Sequence, residues 1–198
     1  MKTHAISLPH AQEILRPRMP DIVRAAADAV KTWREGFRPF HAMLNTSRSR
    51  ASSISDMFYW NVNLYLSGKP GVDYDEPQGQ RMLTFDGWVG LRFKLVDQLL
   101  QTRNYPTEHA LALVRQLPLE GLPGVRLHLG YRLDLTGMSL KDLFVTLPNG
   151  KDGDFNDWVW QVWGEPIQAS GTVVQHPLAG LRQAVVVYAY DDYSTGTK

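Results

Sequence analysis

The chain contains no cysteine. That excludes disulfides, thiol nucleophiles and thiolate-held zinc, and it suits a reducing compartment. No apolar run approaches the ~18 residues that a membrane-crossing helix requires. Residues 1–15 lack a basic start followed by a long apolar stretch, so no signal peptide is expected. The expectation is a cytoplasmic protein with no membrane contact. Catalytic signatures are missing as well. There is no phosphate-binding P-loop, no Gly-x-Gly-x-x-Gly, no His-Glu-x-x-His, no Gly-x-Ser-x-Gly and no acidic-x-Lys triplet. The common ATPases, dinucleotide enzymes, zinc peptidases, serine hydrolases and metal-dependent nucleases are therefore disfavoured, and no cofactor is expected. The six histidines include no pair at three- or four-residue helical spacing, so no metal site is signalled. The stretch from Lys151 to Asp157 places Asp152, Asp154 and Asn156 at alternate positions, as in a calcium loop. Asp157 and Trp163 stand where such a loop needs Gly and Glu, which leaves a hairpin loop.

What is present is the material of a real core: 198 residues, 43% hydrophobic and 11% aromatic. The net charge of +1 hides an asymmetry. Residues 1–55 carry nine Lys and Arg against four acids, and the remainder twelve against sixteen. A basic front half suits a polyanion or an acidic partner, although solvated helix faces carry such charge too.

The order of elements argues for an α+β fold, with N-terminal helices packed on a mostly antiparallel β-sheet and one inserted helix. A single unit is expected, with a helical part (1–66), a connecting loop (67–80), a sheet-rich part (81–190) and a tail (191–198). Leu8 to Leu15 predicts a short helix stopped by Pro17. A longer helix begins near Pro20-Asp21, buries Ile22, Ala26, Ala29, Trp33 and Phe37, and ends at Gly36 and Pro39. Ser53 and Asp56 have capping-box spacing, which predicts a second helix from there to Leu66. Its apolar residues, Trp60 and Leu64 among them, cover most of its circumference and predict burial on most sides. The period then changes to two. Strands are expected from Arg81 to Phe85 and Trp88 to Val96 around an Asp86-Gly87 turn. After a helix capped at Thr107 and running to Leu117, strands follow at Val125–Leu135, Leu143–Leu147, Trp158–Trp163 and Gln183–Tyr190.

Two strands alternate in a suggestive way. In Arg126 to Asp134, Leu127, Leu129, Tyr131 and Leu133 face one way, and Arg126, His128, Gly130 and Arg132 the other. In Trp88 to Leu95, Arg92 and Lys94 oppose Val89, Leu91, Phe93 and Leu95. If both polar sets share one sheet face, they form a basic patch around a single histidine, with Gly130 leaving room for a ligand and Thr146, Tyr188 or Tyr190 adding a hydrogen bond. The plain alternative is the solvated side of an antiparallel sheet. Trp158 and Trp160 share a face with Trp163 opposite, and serve either to stack on bases or to fill the core. Arg48 and Arg50, in a polar segment just before a predicted helix N-terminus, suit a phosphate.

Two functional readings follow. The first is a non-catalytic binding or regulatory protein that contacts a protein partner or nucleic acid through its basic N-terminal part. Arg48, Arg50, Lys94 and Arg126 are its candidate phosphate contacts. The stretch from Phe85 to Asp134 resembles small proteins of bacterial mobile elements, a resemblance that implies no particular activity. The second reading is a metal-independent ribonuclease, with His128 as acid and base and Arg92 and Arg132 stabilising the phosphorane. Helices followed by a basic sheet face resemble the layout of small ribonuclease toxins, a likeness of layout without a shared motif.

Overall fold

The computed structural model describes residues 6–36, 46–76, 79–102, 108–117, 121–149 and 155–164. Helix α1 (Leu8–Leu15) has Pro9 in its first turn, where the missing N–H costs nothing. Pro17 lies in the 3-10 turn Arg16–Arg18, which leads straight into α2 (Met19–Gly36). Ala25, Ala26 and Ala29 on the buried side of α2 let α3 (Ser47–Leu66) approach closely. The pair is pinned by Asn61 Nδ2, which donates to the Ala25 carbonyl at 3.2 Å, and by the Tyr65 hydroxyl, which donates to Asp28 at 2.6 Å.

Helix α3 starts seven residues earlier than the Ser53–Asp56 spacing predicts. Thr46 is its N-cap, and its hydroxyl accepts the Ser49 N–H at 3.1 Å. Ser53 is an interior residue. The expected burial on most sides is also corrected. Ile54, Phe58, Tyr59, Val62 and Leu66 face the core, whereas Trp60 is 75% exposed and Leu64 67%.

Six strands follow in one sheet whose spatial order is the chain order. They are β1 (Val72–Asp75), β2 (Met82–Phe85), β3 (Val89–Leu95), β4 (Val125–Leu133), β5 (Leu140–Asn149) and β6 (Phe155–Gly164). Strand β1 lies inside the segment read as a connecting loop. Asp86 (φ 51°) and Gly87 (φ 67°) make the β2–β3 turn, in the left-handed pair of conformations that a tight hairpin prefers. All neighbouring pairs are antiparallel except β3–β4, which are parallel. A parallel pair needs a long crossover, and residues 96–124, carrying the inserted α4 (Glu108–Val114), supply it. The α+β architecture with a mostly antiparallel sheet is as the sequence predicts. Thr107, the expected cap of α4, and the expected strand 183–190 lie outside the described residues, and α4 ends at Val114, short of Leu117.

Helices α1–α3 bury one sheet face, which carries Val89, Leu91 and Phe93 of β3, Leu127, Leu129 and Tyr131 of β4, and Leu143 and Val145 of β5. Phe58, Phe93 and Tyr131 stack in series at centroid distances of 3.9 and 4.4 Å, which ties α3 to the two central strands. The Tyr59 hydroxyl donates to the Arg81 carbonyl at 2.8 Å and accepts the Phe93 N–H at 3.2 Å. Burial raises its pKa to about 12, so it stays a neutral donor. Trp158 and Trp160 belong to this core, and the Trp158 indole donates to the Ile6 carbonyl at 3.0 Å. A bulge between Leu143 and Phe144 pairs Leu143 with Trp163 and Phe144 with Gln161, which turns Trp163 to the same side as the other two tryptophans. The strict alternation expected for β6 is therefore broken at its end.

Candidate functional site

The second sheet face is fixed by register. The parallel β3–β4 pair sets Gly90 beside Arg126, Arg92 beside His128, and Lys94 beside Gly130. Across β4–β5, His128 faces Thr146, Gly130 faces Phe144, and Arg132 faces Asp142. The two polar strand sides thus share one face, on neighbouring strands, opposite α1–α3. It is not the solvated side of a sheet. Arg92, Arg126, His128 and Thr146 are buried, and Lys94 is half-buried. Gly130 leaves no room for a ligand, because a Cβ built there would lie 2.9 Å from a Val96 methyl. Gly90 is likewise filled, by Met82 and Pro123.

The basic groups divide into two sets. Arg132 and Arg126 are committed to the fold. Arg132 Nε and Nη2 donate to Asp142 Oδ2 at 3.0 and 2.6 Å, and its guanidinium lies 4.9 Å from the Phe144 ring centroid. Arg126 donates to the Leu117 carbonyl at 2.7 Å and to the Pro123 carbonyl at 3.4 Å, fastening the end of the α4 crossover to the sheet. The side-chain amide of Gln116 clasps the Arg126 backbone, donating to its carbonyl at 2.7 Å and accepting its N–H at 2.8 Å. Nothing local in the sequence marks Gln116 for this role.

Arg92, Lys94 and His128 form the other set. Arg92 Nη2 donates to Gln80 Oε1, and its buried Nε has no hydrogen bond. The Thr146 hydroxyl, beside His128, is buried without a partner as well. Burial lowers the Arg92 pKa. Burial, then the Arg92 charge, brings Lys94 down to about 8. Burial, then Arg92 and Lys94, brings His128 down to about 3, so its imidazole is neutral at ordinary pH. Among the described residues, no carboxylate offsets any of the three. Positive charge of this kind is costly to bury and is normally paired. The arrangement has donors and positive potential but, among the described residues, no carboxylate base, and it repels cations. No group of three or more His, Asp or Glu among the described residues could hold a metal ion.

The other expected phosphate contacts do not join this set. Arg48 and Arg50 sit in the first turn of α3, not before it. Arg48 is exposed, while Arg50 Nη1 donates to the Gly137 carbonyl at 3.1 Å and its guanidinium lies 5.8 Å from the Trp33 ring centroid. Thr46 already takes one of the N–H groups that an anion at this terminus would use. Two charges of the helical half are met within the fold, Arg24 by Asp28 at 3.7 Å and Asp21 by Lys69. Tyr188, Tyr190 and most of the acidic loop 151–157 lie outside the described residues. No helix among the described residues is long and apolar enough to cross a membrane. No family model, curated protein or solved structure matches the chain.

Proposed function

We propose that this is a non-catalytic binding protein of regulatory type, and that it takes up an anionic partner at the Arg92–Lys94–His128 face of its sheet. One observation carries the reading: two cationic side chains and a histidine sit on adjacent strands in a largely buried setting with no carboxylate of the described residues beside them. An anion would restore the electrostatic balance that the fold leaves open. The committed roles of Arg50, Arg126 and Arg132 move the emphasis away from the basic N-terminal part and toward this face.

The ribonuclease reading draws support from the same adjacency of Arg92, Lys94 and His128. The protonation of His128 speaks against it. A general acid must carry its proton near the working pH, and a histidine held near 3 does not. Both readings meet one test: incubation of the full chain with labelled RNA, single-stranded DNA and duplex DNA, with EDTA and at two salt concentrations, read for mobility shift and cleavage. The binding reading expects no cleavage. RNA cleavage that survives EDTA and disappears in His128→Ala would replace it with the ribonuclease.

A further inference from the structure

The geometry points to a small tetrahedral dianion, free phosphate or the head of a phosphate monoester, as the ligand of this face, held by Arg92, Lys94, His128 and Thr146. This rests on the anion-binding reading above and names its ligand class. Arg92, His128 and Thr146 form one row across β3, β4 and β5, because each is the registered partner of the next. Adjacent strands lie about 4.8 Å apart, so the outer two residues stand roughly 10 Å apart at the backbone, a span across which an Arg and a Thr side chain can converge on one oxyanion beside the central His128. Lys94 stands one pleat further along β3 on the same side.

Two of these groups have unused donors in the buried region, Arg92 at Nε and Thr146 at Oγ1. Donors left unpaired in a protein interior are costly, and an ordered ligand oxygen is one way to satisfy them. Two positive charges with no acid beside them among the described residues match a dianion better than a monoanion. The neutral imidazole of His128 adds a hydrogen bond without a third charge.

Burial decides the size of the ligand. Arg92 is 7% exposed, His128 5% and Thr146 1%, while Lys94 alone of the four is half-buried. A polynucleotide backbone needs an open, continuous groove. A small ligand enclosed on most sides suits such burial, and Lys94, one pleat from the row, is the member of the set nearest solvent.

The test is a titration of the full chain at pH 7 with inorganic phosphate and, separately, phenyl phosphate, against chloride at equal ionic strength. It is read by calorimetry and by the melting temperature. The same titrations are run on Lys94→Met and Thr146→Val, and a short single-stranded RNA is tested in parallel. Removing a half-buried charge that no described carboxylate pairs is not expected to unfold the protein. Lys94→Met should therefore melt at or above the parent temperature, yet bind phosphate at least about tenfold more weakly. Tighter binding of phenyl phosphate would identify a carried phosphate group, and equal or weaker binding the free ion. Either result supports the inference. Phosphate binding unchanged in both variants would overturn it. No phosphate binding, with RNA binding that Lys94→Met weakens, would overturn the small-ligand inference and leave the anion-binding reading standing. Binding of neither would overturn both.

Discussion

At the scale of single residues, buried titratable groups make the sharpest demands. The fold holds His128 near 3, against an ordinary value of about 6.5. Between those values the unfolded chain binds a proton that the folded chain does not, so acid favours unfolding. Stability against urea is expected to fall as pH drops from about 6.5 toward 3, and His128→Gln should flatten that part of the profile. Lys94 acts with the same sign in an alkaline window. Its folded pKa of about 8 lies below its ordinary value, so its burial penalty is full below 8 and is relieved as pH rises through about 10.4. Competitive acetylation followed over pH should give a Lys94 midpoint near 8; a midpoint near 10 would contradict its burial. The Arg132–Asp142 pair is a structural counterpart. Asp142→Asn leaves a partly buried guanidinium without its carboxylate and should cost about 3 kcal/mol in chemical denaturation. Replacing both partners by apolar residues of similar volume should recover most of that loss.

At the scale of elements, the cap of α3 separates sequence from structure most cleanly. Thr46→Ala should lower stability by about 1 kcal/mol, because the Ser49 N–H loses its acceptor. Ser53→Ala should be neutral or slightly stabilising, since Ser53 is a helix interior position and Ala is the better helix former. Equilibrium unfolding of the two variants side by side checks both. The polar run from Ser47 to Ser53 offered no apolar periodicity, so the first turns of α3 were hidden from pattern reading. Strand β1 escaped for a related reason. Four residues, with Asp73, Tyr74 and Asp75 exposed, give too short an alternation to stand out in a turn-rich segment. The longer periodic elements, α2, β3 and β4, were legible because many residues repeat one pattern. Trp163 was misplaced because a bulge shifts the period by one residue, and no local residue choice announces it. The burial of the second sheet face was illegible altogether. Alternation tells which residues share a side but not whether that side is covered.

For the whole molecule, strand alternation tells which basic residues share a face but not which of them the fold already uses. Register brought Arg92, Lys94, Arg126, His128 and Arg132 onto one face, as the alternation of two strands implied. Only three-dimensional contacts reveal that Arg126 and Arg132 are already engaged. The sheet also predicts a gradient of protection. Amide exchange should be slowest in β4 and β5, which are paired on both sides, and fastest in the exposed edge strand β1. One detail of that sheet reaches further. Continued two residues past the His128–Thr146 pair, the β4–β5 register sets Arg126 opposite Pro148, which has no N–H to give. The amide of Gln116 takes that rung, offering one donor and one acceptor as a neighbouring backbone would. Gln116 adopts a left-handed φ of 56° to do so. A side chain impersonating a strand fills from within the chain a rung that the neighbouring strand leaves empty. Its loss in Gln116→Ala strands one buried N–H and one buried carbonyl, and is expected to show as a lower melting temperature in a calorimetric scan.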